Sequence, residues 1–359
     1  YLVIVFSALS FFTDTPELRL FGDGNTWQSI IGASVLLWVV HFLVLRGVQT
    51  AASINLVATL AKLLPLGLFI VLAIIMFKLD TFSLDFTGLA LGVPVWEQVK
   101  NTMLITLWVF IGVEGAVVVS ARARNKRDVG RATLLAVLAA LGVYLLVTLL
   151  SLGVVARPEL AEIRNPSMAG LMVKMMGPWG EIIIAAGLIV SVCGAYLSWT
   201  IMAAEVPFLA STHKAFPRIF ARQNAQGAPS ASLWLTNACV QICLVLIWLT
   251  GSDYNTLLTI ASEMILVPYF LVGAFLLKIA ARPLHQAVGV GACIYGLWLL
   301  YASGPMHLLL SVVLYAPGLL VFLYARKTHT HDNVLNRQEV MLIGLLLIAA
   351  VPATWMLVG

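Results

Sequence analysis

Long apolar runs dominate this sequence, and they constrain its fold more than any motif does. A helix of about 20 apolar residues crosses a hydrocarbon core about 30 Å thick. The chain is 61% hydrophobic and 10% charged, whereas an ordinary soluble domain carries about a quarter charged residues. These features predict an all-α integral membrane protein. The complete crossings are predicted near residues 27–45, 52–77, 100–121, 132–155, 181–209, 232–250, 255–277, 286–302, 307–325 and 340–358.

The connections and the first segment complete this outline. No connection is long enough for a soluble domain, so we expect residues 1–359 to form one polytopic domain. The apolar segment at residues 1–12 is too short to cross the bilayer and lacks the basic flank of a signal peptide. We interpret it as a partial helix whose beginning lies upstream in a longer natural protein.

Basic residues are unevenly shared between the two sets of alternate loops, which predicts the orientation. One set carries 14 of the 21 lysines and arginines, including the run RARNKRD at 122–128, and is predicted to be cytoplasmic. This run has no interleaved aromatic residues, so we expect contact with anionic lipid and no nucleic acid. The four cysteines lie in apolar spans and should pack as small hydrophobes. We therefore expect no metal site and no cofactor.

Four ionisable residues remain inside the predicted spans: Lys62, Glu114, Glu205 and Glu263. A charge at the bilayer centre costs about 2.5 to 3.5 kcal/mol on insertion scales, so each is a candidate for function. Glu205 is a candidate for a gate or for a structural salt bridge. Lys62 is a candidate for coupling or for a structural counter-ion. Glu263 precedes Pro268 in its span and would bind a cationic substrate or act as a protonated structural acid.

Glu114 lies between Gly112 and Gly115 in LWVFIGVEGAVVVS, where a spanning helix should be unbroken. One interpretation is a discontinuous helix that forms part of a binding site, because irregular backbone at this depth must line a cavity. The alternative is a continuous helix whose glycines allow close packing. Trp108 and Trp199 lie deep in their spans, where an aromatic face can hold a cation or simply pack in the core.

Two long blocks resemble a known family. LWVFIGVEGAVVVSARARNKRDVGRAT and SWTIMAAEVPFLASTHKAFPRIFARQNAQGAPSASL resemble bacterial arginine/ornithine antiporters, in the basic amino acid branch of the amino acid-polyamine-organocation (APC) superfamily. LVPYF at 266–270 matches a third, shorter block. The resemblance implies a LeuT-type fold of two inverted repeats, here a fragment that lacks about the first two and a half transmembrane helices. The span at 100–121 would then be helix six, which is broken in this fold.

The resemblance also implies roles for individual residues. Trp108, Ile111 and Trp199 match substrate-contacting positions, and Glu114 matches an acid associated with gating. Lys62 lies on the helix where some relatives use a lysine for proton coupling. The broken segment, Gly112 and Val113 through Gly115, would hold the substrate's amine and carboxylate. Family precedent further implies a homodimer in the bacterial inner membrane.

The sequence thus predicts a secondary active transporter that exchanges arginine for ornithine by alternating access. The nearest alternatives are a proton-coupled amino acid symporter and another exchanger, such as lysine/cadaverine or arginine/agmatine. An enzyme is not expected, because the spans contain no HExxH, no GxSxG and no paired catalytic residues. A channel would give no reason for a broken helix around one acid.

Overall fold

The computed structural model describes residues 1–47, 63–113, 115, 125–163, 165–252, 254–329, 335 and 337–358. Within these ranges the chain is nearly all helical and contains no strand, so the predicted all-α class is confirmed. The α-helices are α1 (Leu2–Thr13), α2 (Trp27–Leu45), α3 (Leu63–Met76), α4 (Leu79–Ser83), α5 (Val95–Trp108), α6 (Lys126–Val154), α7 (Arg157–Glu162), α8 (Ser167–Met176), α9 (Pro178–Thr212), α10 (Ser230–Thr250), α11 (Tyr254–Ile279), α12 (Pro283–Ser303), α13 (Pro305–His329) and α14 (Arg337–Val358).

Helix length and composition mark this as a multi-pass membrane protein. In the described part of the chain, six helical segments are long and apolar enough to cross a bilayer: Trp27–Leu45, Asp128–Val154, Pro178–Thr212, Ser230–Thr250, Tyr254–Ile279 and Pro283–Ser303. Their outward faces carry large apolar side chains, for example Leu134, Leu135 and Leu138 on α6, which are more than half exposed. Such faces suit lipid, because hydrocarbon solvates them without the cost of apolar surface in water.

The chain forms two compact units. The first comprises Tyr1–Ala90, Gly112–Leu209 and Ile219–Tyr254, and the second comprises Leu91–Ile111, Ala210–Arg218 and Asn255–Gly359. The prediction of a single membrane domain with ten crossings stays a prediction.

In the first unit, α2 and α10 are joined by a polar seam. The side chain of His41 is fully buried, and its Nδ1 lies 2.8 Å from Nδ2 of Asn237. One turn away, Trp38 Nε1 donates to Oε1 of Gln241 at 3.1 Å, and Nε2 of Gln241 donates to the Ser34 hydroxyl at 2.9 Å. In an apolar medium each pair satisfies groups that would otherwise be costly to bury.

The seam extends to both ends of the two helices. Asn25, just before α2, donates through Nδ2 to the carbonyl of Gly251, just after α10, at 3.0 Å. At the other end, Asn224 Nδ2 donates to the carbonyl of Leu45 at 2.7 Å. These bonds join the loops that flank α2 and α10 to the partner helix.

Apolar packing supports the remaining helices of each unit. In the first unit, Phe69 of α3, Met172 of α8 and Ile184 of α9 belong to one buried cluster. In the second unit, α5 packs on α12 through Trp96 and Trp298, whose ring centroids are 4.2 Å apart. These contacts fix α5 upstream of the segment that the sequence singled out.

Asp14 organises the turn that follows α1, outside the membrane-spanning segments. Its carboxylate accepts hydrogen bonds from the backbone N–H groups of Leu20, Phe21 and Gly22, at 3.2, 3.0 and 2.8 Å. Partial burial raises the pKa of Asp14, but the hydrogen bonds from Phe21, Gly22, Thr13 and Leu20 together outweigh it and leave the pKa below its ordinary value. A carboxylate with a lowered pKa stabilises the folded state wherever it is ionised.

We predict that Asp14→Asn lowers the stability of the purified protein by about 1 kcal/mol at neutral pH, because charged acceptors make the stronger hydrogen bonds. The wild-type advantage should be complete above the unfolded-state pKa of about 4 and should disappear as the pH falls through the lowered folded-state pKa. Thermal unfolding in detergent between neutral and acidic pH measures this difference. Glu17→Gln, which removes an exposed carboxylate from the same loop, is the control; a deficit for Asp14→Asn that persists at low pH would contradict the assignment.

Candidate functional site

The predicted helix six is interrupted. Regular α-helix ends at Trp108, and turns occupy residues 109–113. Within the second unit, the amides of Phe110 and Ile111 donate to the carbonyls of Leu107 and Trp108, each at 3.1 Å. These are i to i+3 bonds, which tighten the end of a helix. The interruption therefore begins at Val109, three residues ahead of the predicted break at Gly112.

Gly112 has a backbone conformation that other residues rarely adopt. Its φ is +114°, and a Cβ atom built there would lie 3.2 Å from Cζ2 of Trp199. A Cβ atom at Gly115 would lie 2.6 Å from Sδ of Met202. The two glycines are three residues apart, and so are Trp199 and Met202, which therefore share one face of α9. The glycines let the backbone of the interruption lie directly on that face.

Trp199 is an aromatic residue between two parts of the first unit. On one side lies Gly112, and on the other the ring of Tyr1, whose centroid is 6.3 Å from that of the indole. An indole offers a π-face to an organic cation or to an alkyl stem.

In the second unit, Trp108 is the last residue of α5, and Ile111 lies in the turns that follow it. Ile111 packs against a buried cluster of Leu107, Leu266 and Leu299, which join α5, α11 and α12. This cluster brings the last residues before the glycines against the helix that carries Glu263. Val113, in contrast, is 37% exposed and has no place in that cluster.

Glu263 is a buried acid in the middle of an apolar helix. It lies on α11, three residues before Leu266, and only 5% of its surface is exposed. Ser262, next to it, is fully buried. A carboxylate in such surroundings is costly unless a cation or hydrogen-bond donors compensate for it. This acid can thus serve as the counter-charge of a cationic ligand.

Of the three remaining predicted residues, the structure describes one. Glu205 lies on α9, six residues after Trp199, and is 7% exposed. Because it lies three residues after Met202, Glu205 neighbours that side chain on the helix surface, but it points about 120° around the helix from Trp199. Lys62 and Glu114 lie outside the described residues.

Sequence reasoning did not select Tyr1 or Met202. Tyr1 is nearly 200 residues from Trp199 in the chain, and no local pattern could have paired them. Met202 could have been found, because it lies three residues after Trp199, the spacing that also separates Gly112 from Gly115. Among the described residues, no group of three histidines, cysteines or acids could hold a metal ion.

Comparison with known proteins gives the family. A family model described as "Amino acid permease" matches residues 1–347. The chain belongs to the amino acid permease family. It is 94% identical over 359 residues to an Escherichia coli (strain K12) protein provisionally named an arginine/ornithine antiporter, and covers 78% of that protein. It is 41% identical over 375 residues to the arginine/ornithine antiporter of Pseudomonas aeruginosa, with 99% of this chain and 76% of that protein covered.

A third relative is named for a different substrate pair. The arginine/agmatine antiporter of Chlamydia pneumoniae is 39% identical over 373 residues, which cover 98% of this chain and 76% of that protein. The resemblance identified from the sequence blocks is therefore confirmed. As an amino acid permease the chain is a transporter, and membership of this family supports the predicted APC transporter fold.

For this permease we predict that Gly112→Ala reduces amino acid uptake by reconstituted protein about tenfold or more, because a positive φ at a non-glycine residue costs about 1–3 kcal/mol and the methyl group would press on Trp199. Gly115→Ala should cost less, since the methionine that it meets is flexible. Uptake of radiolabelled amino acid into proteoliposomes compares the two.

Gly142→Ala is the matched control, because a Cβ atom there would meet nothing within 4 Å. It should transport like the wild type. If Gly112→Ala did the same, the interruption would tolerate an ordinary residue, and the close contact with Trp199 would have no part in transport.

Proposed function

We propose that this permease exchanges cationic amino acids across the bacterial inner membrane, with arginine entering and ornithine leaving. The observation that carries the proposal is the interruption at Gly112, which lies against the indole of Trp199 in a spanning region. A broken helix and an aromatic face are the elements that hold an amino acid at mid-depth in transporters of this type. The names of the two arginine/ornithine relatives support the substrate pair.

Each residue has a proposed part in binding. The residues of the interruption, Gly112 and Val113 through Gly115, hold the amine and carboxylate that all amino acids share, with help from the partial charges of helix ends. Trp108, Ile111 and Trp199 contact the aliphatic stem. Glu263 provides the negative charge for the guanidinium or ammonium group, because a buried carboxylate gains most from a cation that arrives at the site.

The remaining charged residues concern movement. Glu114 and Glu205 are proposed to act in gating, and Lys62 in coupling or as a counter-ion. The basic loops lie in the cytoplasm, as the bias of lysine and arginine between alternate loops indicates. The protein is also proposed to form a homodimer and to have no enzymatic activity.

Exchange follows from the same buried charge. Once the site empties, Glu263 loses the attraction of the substrate's cation, so the buried carboxylate is less stable than in the loaded carrier. The empty carrier therefore populates the reoriented state poorly, whereas a loaded carrier can cross. Transport should then need a cationic amino acid on both sides of the membrane.

Proteoliposomes test this requirement directly. Vesicles loaded with ornithine should take up labelled arginine rapidly and saturably, and vesicles with buffer alone should take up little. Fast uptake into empty vesicles would exclude obligate exchange. Uptake that followed an imposed pH gradient and ignored internal ornithine would identify a proton-coupled symporter.

The membrane potential separates the two exchange pairs. Arginine and ornithine each carry one net positive charge near neutral pH, so their exchange moves no net charge. Agmatine lacks the carboxylate and carries two, so exchanging it for arginine moves one. A potassium diffusion potential set with valinomycin should leave arginine/ornithine exchange unchanged. A strong response of the preferred pair to this potential would point to agmatine.

We predict that Glu263→Gln removes the preference for cations. Citrulline has nearly the shape of arginine but a neutral side chain. The inhibition constant of citrulline divided by that of unlabelled arginine, both measured against uptake of labelled arginine, therefore reports the charge interaction. This ratio should fall by about tenfold or more in the variant, as expected for a charge-assisted pair in an apolar setting.

Glu162→Gln is the control, because it removes one exposed carboxylate from the short helix α7. It should keep the wild-type ratio. An unchanged ratio in Glu263→Gln would remove this residue from substrate recognition and leave the exchange itself to be judged by the vesicle assays.

A further inference from the structure

Pro268 creates a hydrogen-bonding problem inside α11. In an α-helix the amide of residue 268 would donate to the carbonyl of residue 264. Proline has no N–H, and its ring also crowds that carbonyl, which kinks the helix. The carbonyl of Met264 therefore lacks its helical donor, within an apolar spanning segment. Such a group is tolerated in a membrane only where another part of the protein satisfies it.

Tyr315 supplies the missing donor. Its hydroxyl, which extends from α13, donates to the carbonyl of Met264 at 2.5 Å, and both residues belong to the second unit. This is a short bond for an O–H donor and a carbonyl acceptor. The tyrosine is 51 residues away in the chain, so the bond joins α13 to α11 near Pro268.

The first unit contains a related arrangement. Pro207 lies inside α9, and the carbonyl that it deprives of a donor is that of Ala203. The hydroxyl of Thr236 on α10 lies 3.3 Å from this carbonyl, although it also lies 2.9 Å from the carbonyl of Ser232 on its own helix. The hydroxyl of Tyr315 donates to the carbonyl of Met264, and its bond is the shorter of the two. Of the two hydroxyls, that of Tyr315 is thus the closer substitute for the missing helical donor.

The bond lies directly beside Glu263. Met264 follows Glu263 in the chain, so the Tyr315 bond fixes the peptide unit one residue from the buried acid. On the other side, Leu266 is held in the cluster with Leu107 and Leu299. The short segment that carries Glu263 is therefore held by a hydrogen bond from α13 and by apolar contacts from α5 and α12.

We propose that Tyr315 is a positioning residue for substrate binding: its hydroxyl holds the kinked segment of α11 so that the carboxylate of Glu263 meets the cationic end of the substrate. This inference rests on the proposed function of Glu263. Loss of the hydroxyl frees the peptide group that follows Met264 to rotate, which shifts Glu263 and weakens binding. It does not remove any group that contacts the substrate.

Tyr315→Phe tests the bond while the ring is kept. The concentration of arginine at half-maximal exchange should rise about three- to tenfold, the range that one intramolecular hydrogen bond covers, and the maximal rate per folded protein should stay within about twofold. A purely structural role would instead lower the melting temperature and the amount of active protein without changing the half-saturating concentration. Tyr324→Phe, at an exposed tyrosine on the same helix, should behave like the wild type.

Pro268→Ala provides the decisive background. Alanine restores the backbone N–H of residue 268, so the carbonyl of Met264 regains a helical donor. Tyr315→Phe should then have little further effect on the half-saturating concentration. If it raised that concentration by the same factor with Pro268 or Ala at the position, the hydroxyl would not act through this carbonyl, and the proposal would be wrong.

A second cycle uses Glu263→Gln and does not depend on the folding of Pro268→Ala. If Tyr315 acts by placing this acid, Tyr315→Phe should have no further effect once the acid is replaced; independent effects would overturn the proposal. The two failures are distinguishable. A wild-type ratio of citrulline to arginine inhibition constants in Glu263→Gln would reject the role of the acid. Non-additive effects of Tyr315→Phe and Pro268→Ala on the melting temperature would still establish the hydrogen bond.

Discussion

A peptide group inside a bilayer has no water to bond to, and this constraint governs the structure. Most of the described chain meets it by forming long α-helices. The exceptions are few and located at defined positions. At residues 109–113 short i to i+3 bonds replace the regular pattern, and at Met264 a tyrosine from another helix replaces the amide that Pro268 lacks. Departures from the helix are thus allowed where a particular partner is built for them.

These two departures lie beside residues to which we assign function. Gly112 lies against Trp199, and Pro268 follows Glu263 by five residues. A straight helix presents only side chains, whereas an interrupted one also presents backbone and lets a side chain change direction. The two places where regular helical hydrogen bonding is lost therefore lie next to an indole and next to a buried acid. This is expected if these places take part in binding.

The sequence predicted the all-α class and the family because both follow from local information, namely the length of apolar runs and two long blocks of residues. The glycines at 112 and 115 signalled an interruption for the same reason. The sequence could not show that Trp199 and Met202 are their counterparts, or that Tyr315 bonds to Met264, because such pairs depend on how distant helices pack. Glu114 and Lys62 illustrate a different limit: their chemistry is plain from residue type, but their surroundings lie outside the described residues.

The polar seam between α2 and α10 has a consequence for the transport cycle. It ties the helices at both ends, through Asn25 and Asn224, and in the middle, through His41 and Asn237. A slide by the rise of a single residue, about 1.5 Å, would stretch all of these bonds at once. A carrier must deform in every turnover, but this pair resists shear along its whole length. We expect α2 and α10 to move as one rigid body during transport, so that bending occurs in helices that contain breaks or prolines.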